Sequence, residues 1–286
     1  MKKSTLLHLR IPFSFFLLPV FLLACAVSGE VDVTNFWLSF LILHLFVYPA
    51  SNGYNSYFDK DEKSIGGLKN PPKVSKELYW VSLIFDLIGL GLGFFISIEF
   101  VVMVFIYGLI SKAYSHPSVR LKKYPILGWI AAGIFQGYFT FLLSYMALTD
   151  VSLLAAMNLT IQMPAILSSV LLLGSYPMTQ VYQHEEDGER GDMTMSRLLG
   201  IRGTFHFTAL WFAVSSVGFF YYFTNQYAIE KGLLFLLALG PVLVFFVLWY
   251  MRVRKDIAAA DFKSTMRLNL ISSVVLNTFF IYLWFS

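Results

Sequence analysis

Apolar residues come in long runs separated by short polar segments, and nine runs approach the length of a membrane crossing. A spanning helix needs about 20 mostly apolar residues. Segments 11–28, 35–57, 78–98, 100–114, 125–148, 151–175, 203–224, 232–251 and 267–285 fit that pattern. Very short connections, around Glu99 and Asp150, join two pairs of them. The pattern predicts an all-α, polytopic membrane protein, a bundle of nine transmembrane helices in a single domain over 1–286.

Charge placement checks the count independently. With a cytoplasmic N-terminus, the inside segments are 1–10, 58–77, 112–124, 176–202 and 252–267. They hold 20 of the 21 lysines and arginines, and only Lys231 falls outside. That bias is the positive-inside rule, and it predicts a multi-pass protein with its C-terminus outside.

Composition narrows the class further. Charged residues make up 13% of the chain, against about 25% in soluble domains, so an ordinary soluble protein is excluded. The one cysteine, Cys25, excludes an intrachain disulfide and a multi-cysteine metal site. The net charge of +4 is split among short segments rather than gathered on one soluble face, which argues against a nucleic-acid partner. Lys2, Lys3 and Arg10 followed by a run ending Leu22-Leu23-Ala24-Cys25 also have the form of a lipoprotein signal peptide. A first transmembrane helix accounts for the same residues without processing and is the reading adopted.

The acids supply the candidate chemistry. Asp59, Asp61, Glu62 and Glu77 lie in one inside segment, and Glu185, Glu186, Asp187, Glu189 and Asp192 in another. Acids contribute little to topology, so these clusters call for another explanation; the plain one is solvated loop charge balancing nearby lysines. At 100° per residue, His44, Tyr48, Asn52, Asn55 and Asp59 share an arc of about 80°. One further helical turn would add Glu62 and point Asp61 away. Such a stripe should face the bundle interior, and its amides and carboxylates favour a cation site over simple interhelical packing. Tyr176, Gln180, Gln183, His184, Asp187 and Gly191 share an arc of about 100° if their segment is helical. Hard oxygen donors with few carboxylates suit Mg²⁺ that shares its coordination with phosphate and water. Between the clusters, Lys112, Arg120, Lys122 and Lys123 could hold a polyanion, or simply satisfy topology. Asp86 stands alone in the middle of the third run, a functional candidate by default or a neutral, hydrogen-bonded group. His206 and Asn158 read as packing groups.

The chain resembles the UbiA-type intramembrane prenyltransferase superfamily. Asn52-Gly-Tyr-Asn55-Ser-Tyr-Phe-Asp59 with the following Gly66-to-Ser75 loop is similar to its first motif. Tyr114-Ser115 with Arg120-Leu121-Lys122 resembles the segment after its fourth helix. Gln180 to Asp187, then Arg190-Gly191-Asp192-Met193-Thr194, resembles its second motif. The resemblance implies a nine-helix bundle around a central cavity, where Mg²⁺ and an isoprenyl diphosphate bind and a prenyl group passes to a lipophilic, often aromatic or quinone-precursor, acceptor. Carried onto this chain, it implies Asn55, Asp59 and Asp187 as catalytic residues. Asn52, Tyr114, Arg120, Lys122 and Gln183 become diphosphate partners. The metal ligands would be Asn55, Asp59, Glu62, Gln183 and Asp187, with Glu186 in reserve.

The chain also departs from the pattern. Ser56 follows Asn55 where Asp is usual, Lys63 stands where a later Asp is common, and Gln183 replaces an Asp four residues before Asp187. Tyr48 occupies the place of an arginine two turns before the first motif. Fewer carboxylates imply weaker Mg²⁺ affinity, altered diphosphate geometry, a different substrate or a catalytically silent isoprenoid- or lipid-binding member; a transporter that reuses polar helix ends is the competing class. A transporter would place its site near the midplane, whereas both clusters lie at helix ends.

Overall fold

The computed structural model describes residues 1–286, whose regular elements are all helices, apart from a single bridge between Ile65 and Leu68. Nine helical units follow one another. They are α1 (Lys3–Phe16 and Leu18–Ser28, bent by 42°), α2 (Val33–Asp59), α3 (Glu77–Gly93), α4 (Ile98–Ser115) and α5 (Pro125–Thr149), then α6 (Leu159–Gln180), α7 (Met195–Gln226), α8 (Ile229–Lys255) and α9 (Phe262–Trp284). Seven are long and apolar enough to cross a membrane singly, and the bent α1 makes an eighth. The ninth, α3, falls short by length, with 17 residues. Large apolar side chains such as Trp37, Leu87, Val217 and Leu237 point outward on several helices. An apolar exterior of that extent is a lipid-facing surface, and this is a multi-pass membrane protein.

Local chemistry explains where the helices begin. Asp32, Ser97 and Asp261 each accept a hydrogen bond from a backbone N–H three residues on, at 2.6–3.0 Å, satisfying a donor that the first helical turn leaves free. Asn158 does the same for α6 with the Thr160 N–H, so it is a cap rather than the packing group expected. The seventh helix starts earlier than its apolar run, at Met195, and bends at Gly200, whose φ of +68° interrupts it. Two helices carry a π-helical turn, Ile42–Val47 in α2 and Phe135–Phe139 in α5. Such turns widen a helix locally and recur at functional sites.

Two sets of loops gather at opposite ends. At one end Thr5 meets Ser75, His8 meets the Pro72 carbonyl, and Arg202 reaches the Arg254 carbonyl. At the other, Asp32 bonds to the Leu148 carbonyl, Leu153 to Glu99, and Tyr227 to the Ala26 carbonyl. The five basic segments therefore share one end of the bundle, and Lys231 lies at the other, bonded to Tyr282 and Ser286. Between the ends runs an apolar core in which Phe21, Phe141, Phe219, Phe223 and Phe280 are fully enclosed. Cys25 belongs to this core and is fully buried.

Candidate functional site

At the charged end, α2 runs unbroken from its π turn to Asp59, so the phase expected from sequence holds that far. Asn52, Asn55 and Asp59 all line one chamber, and the Asn55 amide donates to Ser115 Oγ at 2.8 Å. The helix then stops. Lys60 adopts a left-handed conformation (φ 52°) and returns its N–H to the Ser56 carbonyl. The reversal overturns the expected extra turn: Asp61 becomes buried and lines the chamber, while Glu62 is exposed and does not. Glu62 instead offers its backbone N–H to Glu186 Oε1 at 2.9 Å.

The second motif is a helix end, a turn and a short helix, not one continuous helix. α6 closes at Gln180, and His184–Glu189 forms a separate short helix. Gln180, Gln183 and Asp187 line the chamber. His184 turns instead to Ser196 Oγ at 2.7 Å, and Glu186 is buried against the 62–63 backbone. Gly191, at φ +73°, lets the chain double back so that the Asp192 N–H reaches the Asp187 carbonyl. No side chain but glycine holds that conformation cheaply.

The basic segment lies between the motifs. Arg120 sets a two-toothed fork on Asp192 at 2.8 and 2.7 Å and reaches Asp59 at 3.4 Å. Lys122, nearly buried, contacts the other oxygen of Asp59. Gly128 of α5 makes room for this turn, since a Cβ there would come within 2.9 Å of Lys122 Cα. Lys112, expected in the same group, goes elsewhere: it pairs with Asp86 between α3 and α4, away from the chamber. That pairing also answers the question raised by Asp86. His206 contacts the Tyr250 hydroxyl as a packing group, and His44 is stacked on Phe40.

Four more residues, not singled out from sequence as site residues, complete the charged cluster. Arg190 contacts Asp61 and reaches Asp187 at 3.1 Å and Asp192 at 3.8 Å. Asp192 is fully buried. Arg10 also lines the chamber and donates to the Gly66 and Asn52 carbonyls, both at 3.2 Å. Arg10, Lys60 and Arg120 are three of the four non-glycine residues with positive φ. Each such residue costs on the order of 1 kcal/mol, and their concentration around one chamber marks a site whose geometry outweighs local comfort. A left-handed backbone leaves no signature in sequence unless it is a glycine, which is why Arg10 and Asp61 were hidden.

Two chambers adjoin. The charged one encloses about 1250 Å³ and a second, apolar one about 1500 Å³, open space at their mouths included. Asn52, Ser51, Tyr107, Gln136, Tyr176 and Thr179 line both. Tyr114 and Tyr176 touch through their hydroxyls at this boundary. Burial raises the Asp187 carboxyl to about 6, although Arg190 and Lys122 pull the other way. Hydrogen bonds to Asp192 hold the Arg120 guanidinium above its usual range. Asn55, Asp59, Gln183 and Asp187 present hard oxygens to the chamber, but no three His, Cys, Asp or Glu side chains converge as a ready-made cage. A donor set of that kind fits Mg²⁺ that completes its shell with phosphate and water.

Solved structures share this architecture. A UbiA homolog from Archaeoglobus fulgidus bound to DMAPP and Mg²⁺ superposes with a TM-score of 0.71 at 17% identity, over 99% of this chain and 98% of that one. The apo UbiA homolog from Aeropyrum pernix K1 gives 0.73 at 16% identity, over 95% and 98%. A digeranylgeranylglyceryl phosphate synthase gives 0.62 at 18% identity, over 99% of both chains. No curated protein matches the chain in sequence. At these identities the structural likeness speaks for the fold. The sequence model of the UbiA prenyltransferase family, however, matches residues 14–271, so nearly the whole chain carries the family's pattern, and the protein belongs to the UbiA prenyltransferase family.

Proposed function

We propose that this chain transfers a prenyl group from an isoprenyl diphosphate to a lipophilic acceptor inside the membrane, with Mg²⁺. The observation that carries the reading is the junction of two unlike chambers. One holds Asp59 and Asp187 with Lys122, Arg190 and Arg10; the other is an apolar cavity that meets it at Asn52 and Tyr176. A diphosphate fits the first, a hydrocarbon chain fits the second, and the scissile C–O bond would lie where they meet. The solved relatives bound to DMAPP or GPP with Mg²⁺ support the same substrate class. The charged end is assigned to the cytoplasm, N-terminus included, on the distribution of lysine and arginine.

In this reading Asn55, Asp59, Gln183 and Asp187 hold the metal, which when bound supplies positive charge to the leaving diphosphate. Glu62, exposed and outside the chamber, drops out of the ligand set. Arg120, Lys122 and Arg190 exchange their carboxylate partners for phosphate oxygens. The allylic C–O bond breaks with both electrons leaving on the diphosphate. The new bond forms from an electron pair of the acceptor, which then loses a proton. Preorganised cations aimed at the developing charge lower the barrier without reorganising at the moment of reaction. The Tyr114–Tyr176 pair, joined through its hydroxyls at the boundary, supplies aromatic rings that could stabilise a developing allylic cation.

One observation favours a second reading, a catalytically silent member that binds isoprenoid diphosphates. Asp59, Asp61, Asp187 and Asp192 are already neutralised by Arg120, Lys122 and Arg190. Purified protein in lipid nanodiscs, given labelled isoprenyl diphosphates and a panel of acceptors with Mg²⁺ or EDTA, separates the two. Mg²⁺-dependent product establishes the transferase. Diphosphate binding with no product from any acceptor supports the silent member, and absence of diphosphate binding by folded protein overturns both.

A further inference from the structure

Positive charge gathers at the turn between α8 and α9 with no ion pair to answer it. Arg252, Arg254 and Lys255 end α8, Lys263 and Arg267 lie in the opening turns of α9, and Arg202 of α7 donates to the Arg254 carbonyl at 3.1 Å. All six are exposed, and none forms a salt bridge. The two acids between them, Asp256 and Asp261, serve as caps and accept the Ala258 and Ser264 N–H groups. Behind the turn, Phe205, Trp249, Val253, Ala260 and Leu268 pack into one buried cluster, and Trp249 Nε1 donates to the Ala259 carbonyl at 2.7 Å. The cations are therefore displayed on one packed surface shared by three helices.

Topology alone does not ask for this arrangement, because lysine or arginine anywhere in the inside segments satisfies the positive-inside rule. The cations that end α8 sit at the favourable end of its dipole, but Lys263 lies in the first turn of α9, where the dipole disfavours a cation. Arg252 with Lys255, and Lys263 with Arg267, are like charges three and four residues apart on a helix, the spacing at which side chains meet and repel. An anion between them turns each of these costs into a charge-assisted hydrogen bond. In the middle of the cations, the short helical turn Ile257–Ala259 presents Ile257 with 52% of its surface exposed. An apolar tip ringed by cations is suited to the boundary between lipid headgroups and acyl chains.

We propose that the α8–α9 turn, with Arg202 of α7, is a binding site for anionic phospholipid, its guanidinium and ammonium groups holding the phosphodiester while Ile257 meets the acyl chains. A zwitterionic lipid offers the same phosphate but brings a cation of its own, which these six repel. Each cation near an anionic lipid surface contributes roughly a fivefold preference. None of the six lines either chamber, so the inference goes beyond the transfer reading and stands independently of it.

The test titrates the full chain, in a neutral detergent, with short-chain phosphatidylglycerol, phosphatidylcholine of the same chain length, and inorganic phosphate, with bound molecules counted by native mass spectrometry. Phosphatidylglycerol should bind at least tenfold more tightly than phosphatidylcholine, and inorganic phosphate should not displace it at equal concentration. Arg252→Gln combined with Lys255→Gln and Lys263→Gln should weaken phosphatidylglycerol binding about thirtyfold. Lys263→Gln alone, the gentler variant if the triple one does not fold, should weaken it about three- to fivefold. A charge-matched control at three exposed lysines of another inside segment, Lys69→Gln with Lys73→Gln and Lys76→Gln, should leave it within twofold. Equal affinity for the two lipids overturns the proposal, as does unchanged phosphatidylglycerol affinity in a folded patch variant. An equal loss in the control would assign the attraction to overall positive charge and overturn it too. Displacement by inorganic phosphate would make the turn an ion site and not a lipid site.

Discussion

The two chambers share a wall but treat charge in opposite ways. In the charged chamber Asp59, Asp61 and Asp187 pair directly with Lys122 and Arg190, and every carboxylate there has a cationic partner. In the apolar chamber no lining residue is ionised, and the polar groups are neutral amides and hydroxyls, several of them tied to the protein, as Thr208 is to the Gly174 carbonyl. A substrate with a charged head and a greasy tail is sorted by that difference before any specific contact forms. The difference also says what each region tolerates. The charged chamber depends on balance, because removing one partner leaves a buried charge behind. The apolar chamber depends on shape and on a few neutral hydrogen bonds.

The sharpest way to break the comparison is to unbalance the charged side. Arg190→Ala leaves Asp61 and Asp187 facing each other without their shared cation, and should destabilise the metal-free protein by about 3–5 kcal/mol, the usual cost of orphaning one side of a buried pair. Thermal unfolding in nanodiscs would read this, and Mg²⁺ with geranyl diphosphate should restore part of the loss. A variant as stable as the original would mean that water already screens the cluster.

Removing the acids should do the opposite to chemistry. Asp59→Ala and Asp187→Ala are each expected to lower Mg²⁺-dependent prenyl transfer by about 10²–10³-fold, the range found when one preorganised electrostatic partner is lost. Single-turnover rates with labelled isoprenyl diphosphate provide the check.

Acid pH should separate the chambers. With Asp187 raised by burial to about 6, its protonated form is favoured in the metal-free fold. Its contribution to stability is therefore present at low pH and lost as pH rises through about 6. Metal binding needs the ionised form, so the sign reverses there: Mg²⁺ affinity should fall by up to about tenfold per pH unit below 6, as protons compete for the ligand. Binding of an alkylated hydroquinone, a neutral probe of the apolar chamber, should stay flat over the same range. Titrations of both probes between pH 5 and 8 would show whether the two curves part.

Smaller effects sharpen the boundary. Gln183→Asp adds a carboxylate where the chamber has an amide, and should tighten Mg²⁺ binding by roughly three- to tenfold, since ligand charge tunes such sites. Asp86→Asn disturbs an ion pair that belongs to neither chamber. It should lower the melting temperature while leaving geranyl diphosphate affinity within twofold, as read by calorimetry.

Much of this molecule was legible without coordinates where a single helix carries the information. Asn52, Asn55 and Asp59 lie on one uninterrupted stretch of α2, so a fixed 100° per residue places them on one face. Reading failed one residue later, at Lys60, because a left-handed stop written in lysine looks like any other lysine. The same blind spot hid Arg10 and overturned the roles of Asp61 and Glu62. Around the second motif, helical phase misplaced His184, because α6 stops at Gln180 and the chain turns before the next short helix. The cations of the α8–α9 turn are the opposite case. Each was there to be seen, but positive-inside topology already accounted for them, and only the packed turn brings them onto one surface.

What the sequence alone determined is the class of environment and its segregation: apolar runs must cross lipid, and basic segments must share one end. Those follow from the cost of burying charge in hydrocarbon, which every residue meets independently of its neighbours. Which carboxylate faces which cation was decided only by tertiary structure. Asp59 with Lys122, Asp61 with Arg190 and Asp192 with Arg120 are pairs drawn from different loops. Their geometry depends on where three helices end and how the chain turns beyond them. Electrostatic attraction over a few ångströms is specific only once the backbone has set those distances, and no local pattern encodes them.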